Sequence, residues 1–114
     1  MNSCLFCKIV RGEIPAQVVY DDDRVMAFKD IDPKAPVHLL IIPKKHMASL
    51  ADVTAEDGAC LGHILQVAAQ LAHEQGFSDR GYRVVNNCHQ DGGQAVDHLH
   101  FHLLAGRAMQ WPPG

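Results

Sequence analysis

Three histidines stand at every second position in the run Asp97-His98-Leu99-His100-Phe101-His102-Leu103-Leu104. Successive side chains on a β-strand point to opposite faces of the sheet. An extended chain therefore puts His98, His100 and His102 on one face, and Leu99, Phe101 and Leu103 on the other. The segment predicts a half-buried strand. Its apolar face needs a core, and its imidazole face needs an explanation.

The rest of the chain can supply the core. It has 114 residues, 47% hydrophobic and 20% charged, which suits one compact domain over 1–114 without disulfide staples. No apolar run approaches the roughly 20 residues of a membrane span. The N-terminal MNSCLFCKIVRGEIP lacks the basic-then-apolar pattern of a leader. A cytoplasmic protein is the expectation, and its four cysteines are then thiols or metal ligands. A net charge of −3 without a basic stripe speaks against nucleic acid as a partner. A small anion still fits a locally positive pocket.

Hydrophobic periodicity and turn residues set out the elements. CLFCKIVRG predicts one or two helical turns stopped by Gly12. QVVYDDDRVMAFKD predicts two short strands around a turn at Asp21–Asp23. VHLLIIP predicts a buried strand ending at Pro43. A long helix follows, with Thr54 as N-cap and Glu56 and Asp57 in its first turn. Leu61, Ile64, Leu65, Ala68, Leu71 and Ala72 form its apolar stripe, and Gly76 is its C′ residue. GYRVVNN predicts a strand, CHQDGGQ a polar loop, VDHLHFHLLAG the last strand and RAMQWPPG an irregular tail. About five strands with one long and one short helix make an α+β fold with a mainly antiparallel sheet.

Three readings of the imidazole row follow. The row is a polar solvent face, although Thr, Lys or Glu would serve as well there. It is a metal site, although His98 and His102 lie about 13 Å apart along an extended strand, so that only two could share an ion without strain. Or it acts on phosphorus: a neutral imidazole is a nucleophile near pH 7, and a protonated one is a donor and a positive charge. The preceding Asp91-Gly92-Gly93-Gln94 favours the third reading, because glycine backbone can approach phosphate oxygens closely. His38 joins the row only if its strand lies alongside. Cys4-Leu5-Phe6-Cys7 is open in the same way: half of a zinc site, a redox pair, or two small apolar core residues. His63, His73 and His89 are singletons: the first two lie on the helix and read as structural, His89 lies in the glycine loop, and Cys60 reads as a packing residue.

With these residues in place, the chain resembles the histidine triad (HIT) superfamily, and within it the Hint branch of nucleoside phosphoramidases. The resemblance is carried by the triad itself and by KIVRGEIPA, DDRVMAFKDIDPKAP, IIPKKH, LGH, GYRVVNN, DGGQAV and the closing WPPG, in that order. It implies a five-stranded antiparallel sheet per subunit, joined in a homodimer into one ten-stranded sheet with the long helix at the contact. It implies cleavage of a bond to the α-phosphate of a purine nucleotide through a covalent nucleotidyl-histidine, with no organic cofactor. His100 would be the nucleophile, His102 would bond near the α-phosphate, and His38 and His98 would orient and polarise the row. Asn87, Gly93, Gln94 and Ala95 would line the phosphate pocket. Asp30 would hold the ribose hydroxyls, and Phe6, Ile9, Phe28, Ile31 and Leu40 would form the base slot.

The same resemblance assigns a structural zinc to Cys4, Cys7, His46 and His98. Two positions depart from the Hint pattern: Ala95 stands where serine is common, and Asp97 where tyrosine is common. Both bear on the leaving group. Dinucleoside polyphosphate hydrolysis and a non-catalytic nucleotide-binding module are the alternative readings.

Overall fold

The computed structural model describes residues 4–114. The first three residues of the N-terminal stretch searched for a leader lie outside the described residues. Helix α1 spans Leu5–Val10 and is capped by Cys4, whose sulfur accepts the N–H of Cys7. Gly12 follows in the left-handed conformation at φ +76°. Strands β1 (Val18–Asp21) and β2 (Val25–Lys29) form a hairpin. Its turn is pinned by Asp22 Oδ1, which accepts the N–H groups of Arg24 and Val25 at 2.8 Å each. Strand β3 is Val37–Pro43.

Helix α2 runs Gly58–Glu74. Thr54 caps a preceding 3-10 turn at Ala55–Asp57 rather than the α-helix, and its N–H donates to the Asp57 carboxylate at 2.9 Å. The helix ends as Gly76 implies: the N–H of Phe77 reaches back to Ala72 O at 2.9 Å, and that of Gly76 to His73 O at 3.3 Å. Strand β4 is Arg83–Asn86, helix α3 is His89–Gly92, and strand β5 is Phe101–Ala105.

The sheet order is β1-β2-β3-β5-β4, antiparallel throughout. β3 lies next to β5, pairing Leu40 with His102 and His38 with Leu104. The two faces bury different sets. Leu39 and Ile41 of β3 and Leu103 and Ala105 of β5 pack with Ile64, Val67, Ala68, Leu71 and Ala72 of α2. Leu40 and Ile42 pack on the opposite face with Phe6 of α1, Met26 and Phe28. β3 is apolar on both sides because both faces are covered.

Three expectations are corrected. Leu65 is 50% exposed, and Val67 takes its place in the core stripe. The polar CHQDGGQ loop contains a short helix, α3, so the chain has more than one long and one short helix. The last strand begins at Phe101, not near Val96. Before it the backbone serves other partners: the N–H of Leu99 donates to Met47 O at 2.7 Å, and the ring of His100 bonds its own chain at His98 O. Such local side-chain contacts compete with ladder pairing.

Candidate active site

The triad histidines differ in which ring nitrogen holds a proton, and their partners decide it. His100 Nδ1 lies 2.7 Å from the carbonyl oxygen of His98. A carbonyl only accepts, so Nδ1 carries the proton and, in the neutral ring, Nε2 keeps its lone pair. His98 Nε2 lies 2.8 Å from Pro43 O, so there the proton is on Nε2 and the lone pair on Nδ1. His38 Nδ1 accepts the N–H of Lys34 at 3.0 Å, so its proton sits on Nε2. That Nε2–H faces His102 Nδ1 at 2.8 Å. His102 therefore accepts at Nδ1 and keeps a donor at Nε2.

Burial favours the neutral ring at His38 and His102. It pushes His38 below the usual imidazole value against the pull of Asp30. It also carries His102 down to about 4, helped by neighbouring His100 and His38. The His100 and His102 rings are 5.1 Å apart, and the Phe6 ring stands edge-on to His100 at 5.2 Å.

The lone pair of His98 Nδ1 faces a cluster. It lies 3.3 Å from Cys4 Sγ, 3.5 Å from Cys7 Sγ and 3.2 Å from His46 Nδ1, and Cys7 Sγ is 3.3 Å from His46 Nδ1. All four donor atoms lie within 4.8 Å of one another, close enough to hold a metal ion. Metal bonds of about 2.0–2.3 Å in a tetrahedron place neighbouring donors about 3.3–3.8 Å apart. The donor set and its spacing fit such an ion.

Asp30, His38 and His102 also bring donor atoms within 4.8 Å, but they do a different job. The 2.8 Å between the His38 and His102 nitrogens is a hydrogen-bond length. The Lys34 N–H keeps a proton on the His38 nitrogen that a metal would need. Asp30 Oδ2 stands 3.5 Å from that same nitrogen. This group orders protons.

The other expected residues divide. Phe6, Phe28 and Leu40 are buried in one cluster with Ile9 at its edge. Ile31 is 100% exposed and stands apart from them. Asn87 lines an open cleft of about 820 Å³ together with His38, His102, Lys34, Arg83 and Arg107. The N–H groups of Gly93 and Gln94 do not face outward; they donate to Gln90 O at 3.0 Å and His89 O at 3.1 Å. The Gln94 side chain is likewise spent, donating to Ala48 O and Val96 O and accepting the N–H of His89. Ala95 and Asp97 are exposed. Lys34, which fixes the His38 tautomer, and Asn86, whose Nδ2 donates to His100 O at 2.9 Å, were not legible as site residues. Both act through contacts that no local pattern announces.

The chain compares closely with known proteins. Residues 11–109 match the HIT domain family. It is 48% identical over 105 residues to the purine nucleoside phosphoramidase of Escherichia coli, covering 92% of this chain and 88% of that one. It is 52% identical to an uncharacterized HIT-like protein of Synechococcus elongatus, over 96% of each chain. Among solved structures, the HIT family hydrolase of Legionella pneumophila superposes with a TM-score of 0.97 at 56% identity, over 98% of this chain and 100% of that one. A histidine triad protein of Clostridium difficile gives 0.93 at 50% identity, over 96% of each. The ordered imidazole row and these likenesses converge: the chain belongs to the HIT family and is one of its hydrolases.

Proposed function

We propose that the chain hydrolyses purine nucleoside phosphoramidates at the α-phosphorus through a covalent intermediate on His100. The observation that carries this is the 2.7 Å hydrogen bond from His100 Nδ1 to His98 O. It orients the ring and stabilises the charge that bonding of Nε2 to the α-phosphorus places on it. The E. coli relative, a purine nucleoside phosphoramidase at 48% identity, supports the substrate class.

The chemistry takes two displacements. His100 Nε2 attacks the α-phosphorus, a P–N bond to the ring forms, and the P–N bond to the amine breaks. The departing amine takes its proton from water in the open cleft, while the Nε2–H of neutral His102 donates a hydrogen bond to the α-phosphate oxygens. His38 Nε2–H, backed by Asp30, then supports His102 through its Nδ1. Water next attacks the phosphoimidazole, releasing the nucleoside monophosphate and restoring His100. Asn87 lines the same cleft as His102 and suits a phosphate contact. Phe6, Phe28 and Leu40 suit a base.

Zinc is the metal we assign to Cys4, Cys7, His46 and His98, because two thiolates and two imidazoles at these spacings make a closed tetrahedral set. Such an ion supplies structural stability. With all four positions taken by protein, it offers no site to substrate. The thiol pair suits a reducing, cytoplasmic setting. A homodimer is supported by β4, which lies at the edge of the sheet with one side unpaired among the described residues, and by the exposed Leu65 on α2.

The test is mass spectrometry of the protein mixed with adenosine 5′-monophosphoramidate and rapidly quenched without acid. A single nucleoside monophosphate adduct on His100 is expected. Turnover with an adduct elsewhere, or with none under conditions that trap phosphohistidine, removes the mechanism.

A further inference from the structure

Ser49 is 2% exposed although it lies outside the sheet. Its hydroxyl donates to Asp52 Oδ2 at 2.7 Å. With its one proton committed, the oxygen only accepts from its other neighbours. It accepts the N–H of Ala51 at 3.2 Å and the Nε2–H of His89 at 3.0 Å. Serine, histidine and aspartate here do not form a nucleophile, because the histidine is a donor. They form a clasp between the segment after β3 and helix α3.

His89 is the one non-glycine residue with positive φ among the described residues, at +59°. That conformation disfavours any residue with a Cβ. A glycine would sit there without strain, yet the chain carries a side chain whose ring meets a buried partner. The main chain of His89 is held as well: its N–H donates to Gln94 Oε1 at 2.9 Å. Gln94 in turn grips Ala48 O at 2.7 Å. Residues 48 and 49 thus hold both ends of the glycine loop. One residue earlier, Met47 O accepts the N–H of Leu99 at 2.7 Å, immediately before His100.

The geometry points to His89 as a positioning residue. Its ring, seated on Ser49, fixes where the glycine loop hands the chain to the His98–His102 row, and so sets the row against the α-phosphate. The assignment rests on the nucleotide reading above. It concerns a residue whose ring and main-chain N–H bond Ser49 and Gln94, neither of them in the four-donor cluster.

The test uses His89→Gly, which removes the ring and relieves the backbone, and Ser49→Ala, which removes the partner. Three quantities are read in the full-length protein: kcat and KM on adenosine 5′-monophosphoramidate, amide hydrogen exchange at Gln94–Val96, and the melting temperature. For His89→Gly, kcat/KM falls by about tenfold, the scale of one lost hydrogen bond. Exchange at Gln94–Val96 quickens by a similar factor, while the melting temperature holds within roughly 3 °C because strain relief offsets the lost bond. Ser49→Ala on the His89→Gly background adds no further loss of kcat/KM, since the two act as one unit. A kcat/KM within about twofold of the wild type overturns the assignment, as does unchanged exchange. If the wild type itself shows no turnover, the functional reading fails separately, and the exchange measurement alone decides the clasp.

Discussion

The carbonyl oxygen of His98 lies 2.7 Å from Nδ1 of His100. The same His98 presents its own Nδ1 to Cys4, Cys7 and His46. One residue therefore orients the His100 ring with its backbone and closes the cluster of four donor atoms with its own ring.

Replacing His100 by alanine removes the attacking nitrogen and little of the nucleotide cleft. Turnover should fall by about a thousandfold or more, while binding of adenosine monophosphate changes by less than about fivefold. Steady-state kinetics with calorimetric titration checks both. Retained turnover would move the nucleophile elsewhere in the row.

Acid should destabilise the chain through His102. Its folded value of about 4 lies below the ordinary 6.5, so between these the unfolded chain binds more protons. Stability is then complete above about pH 6.5 and is lost as pH falls toward 4. His102→Gln keeps a similar size without titrating there. Its melting temperature should drop less than the wild type's between pH 7 and 4.5. Equal drops would assign the acid sensitivity to other groups.

Removing the metal should cost stability before it costs fold. A strong chelator is expected to lower the melting temperature by roughly 10 °C or more, and readded zinc to restore it. Cys7→Ala should purify with less than about a fifth of one zinc per chain, because a closed site needs all four ligands. Metal analysis that finds no zinc in the wild type, with no effect of chelator, would remove the ion.

Asp22 offers a stability test far from the chemistry. Burial opposes its charge, but hydrogen bonds from Tyr20, His63, and the N–H groups of Arg24 and Val25 hold it ionised well below the usual carboxylate range. Its stabilisation is present above about pH 4 and lost as pH falls further. Asp22→Asn loses acceptors that join the β1–β2 turn to α2. It should cost about 2 kcal/mol and lower the melting temperature by about 10 °C at pH 7. Activity at 25 °C should stay within about twofold of the wild type.

The sequence pattern brought out the histidine row, but not the contacts that hold it. Alternation placed Leu99 and Leu103 in the core and the histidines apart from them, and glycine at 76 marked the end of α2. Alternation alone also drew the last strand too long. His98 and His100 spend their hydrogen bonds on Pro43 and on the chain itself, which a period of two cannot reveal. Leu65 was misplaced because the stripe was extended to its side of the helix, whereas Val67, on the other edge of the same stripe, is the residue in the core. The glycine loop looked like a phosphate cradle by composition, yet its own carbonyls take the Gly93 and Gln94 N–H groups. Ser49 and His89 meet across 40 positions, and neither stands in a pattern that predicts the other.

The contact of Cys4 with His98 spans 94 positions. Nearly the whole polypeptide is a loop closed by that one meeting. During synthesis, Cys4 and Cys7 emerge long before His98 and must wait for it. The carbonyl that holds the His100 ring is therefore in place only once residue 98 has been made, and a shortened product ending before it lacks both the imidazole row and the fourth donor of the cluster.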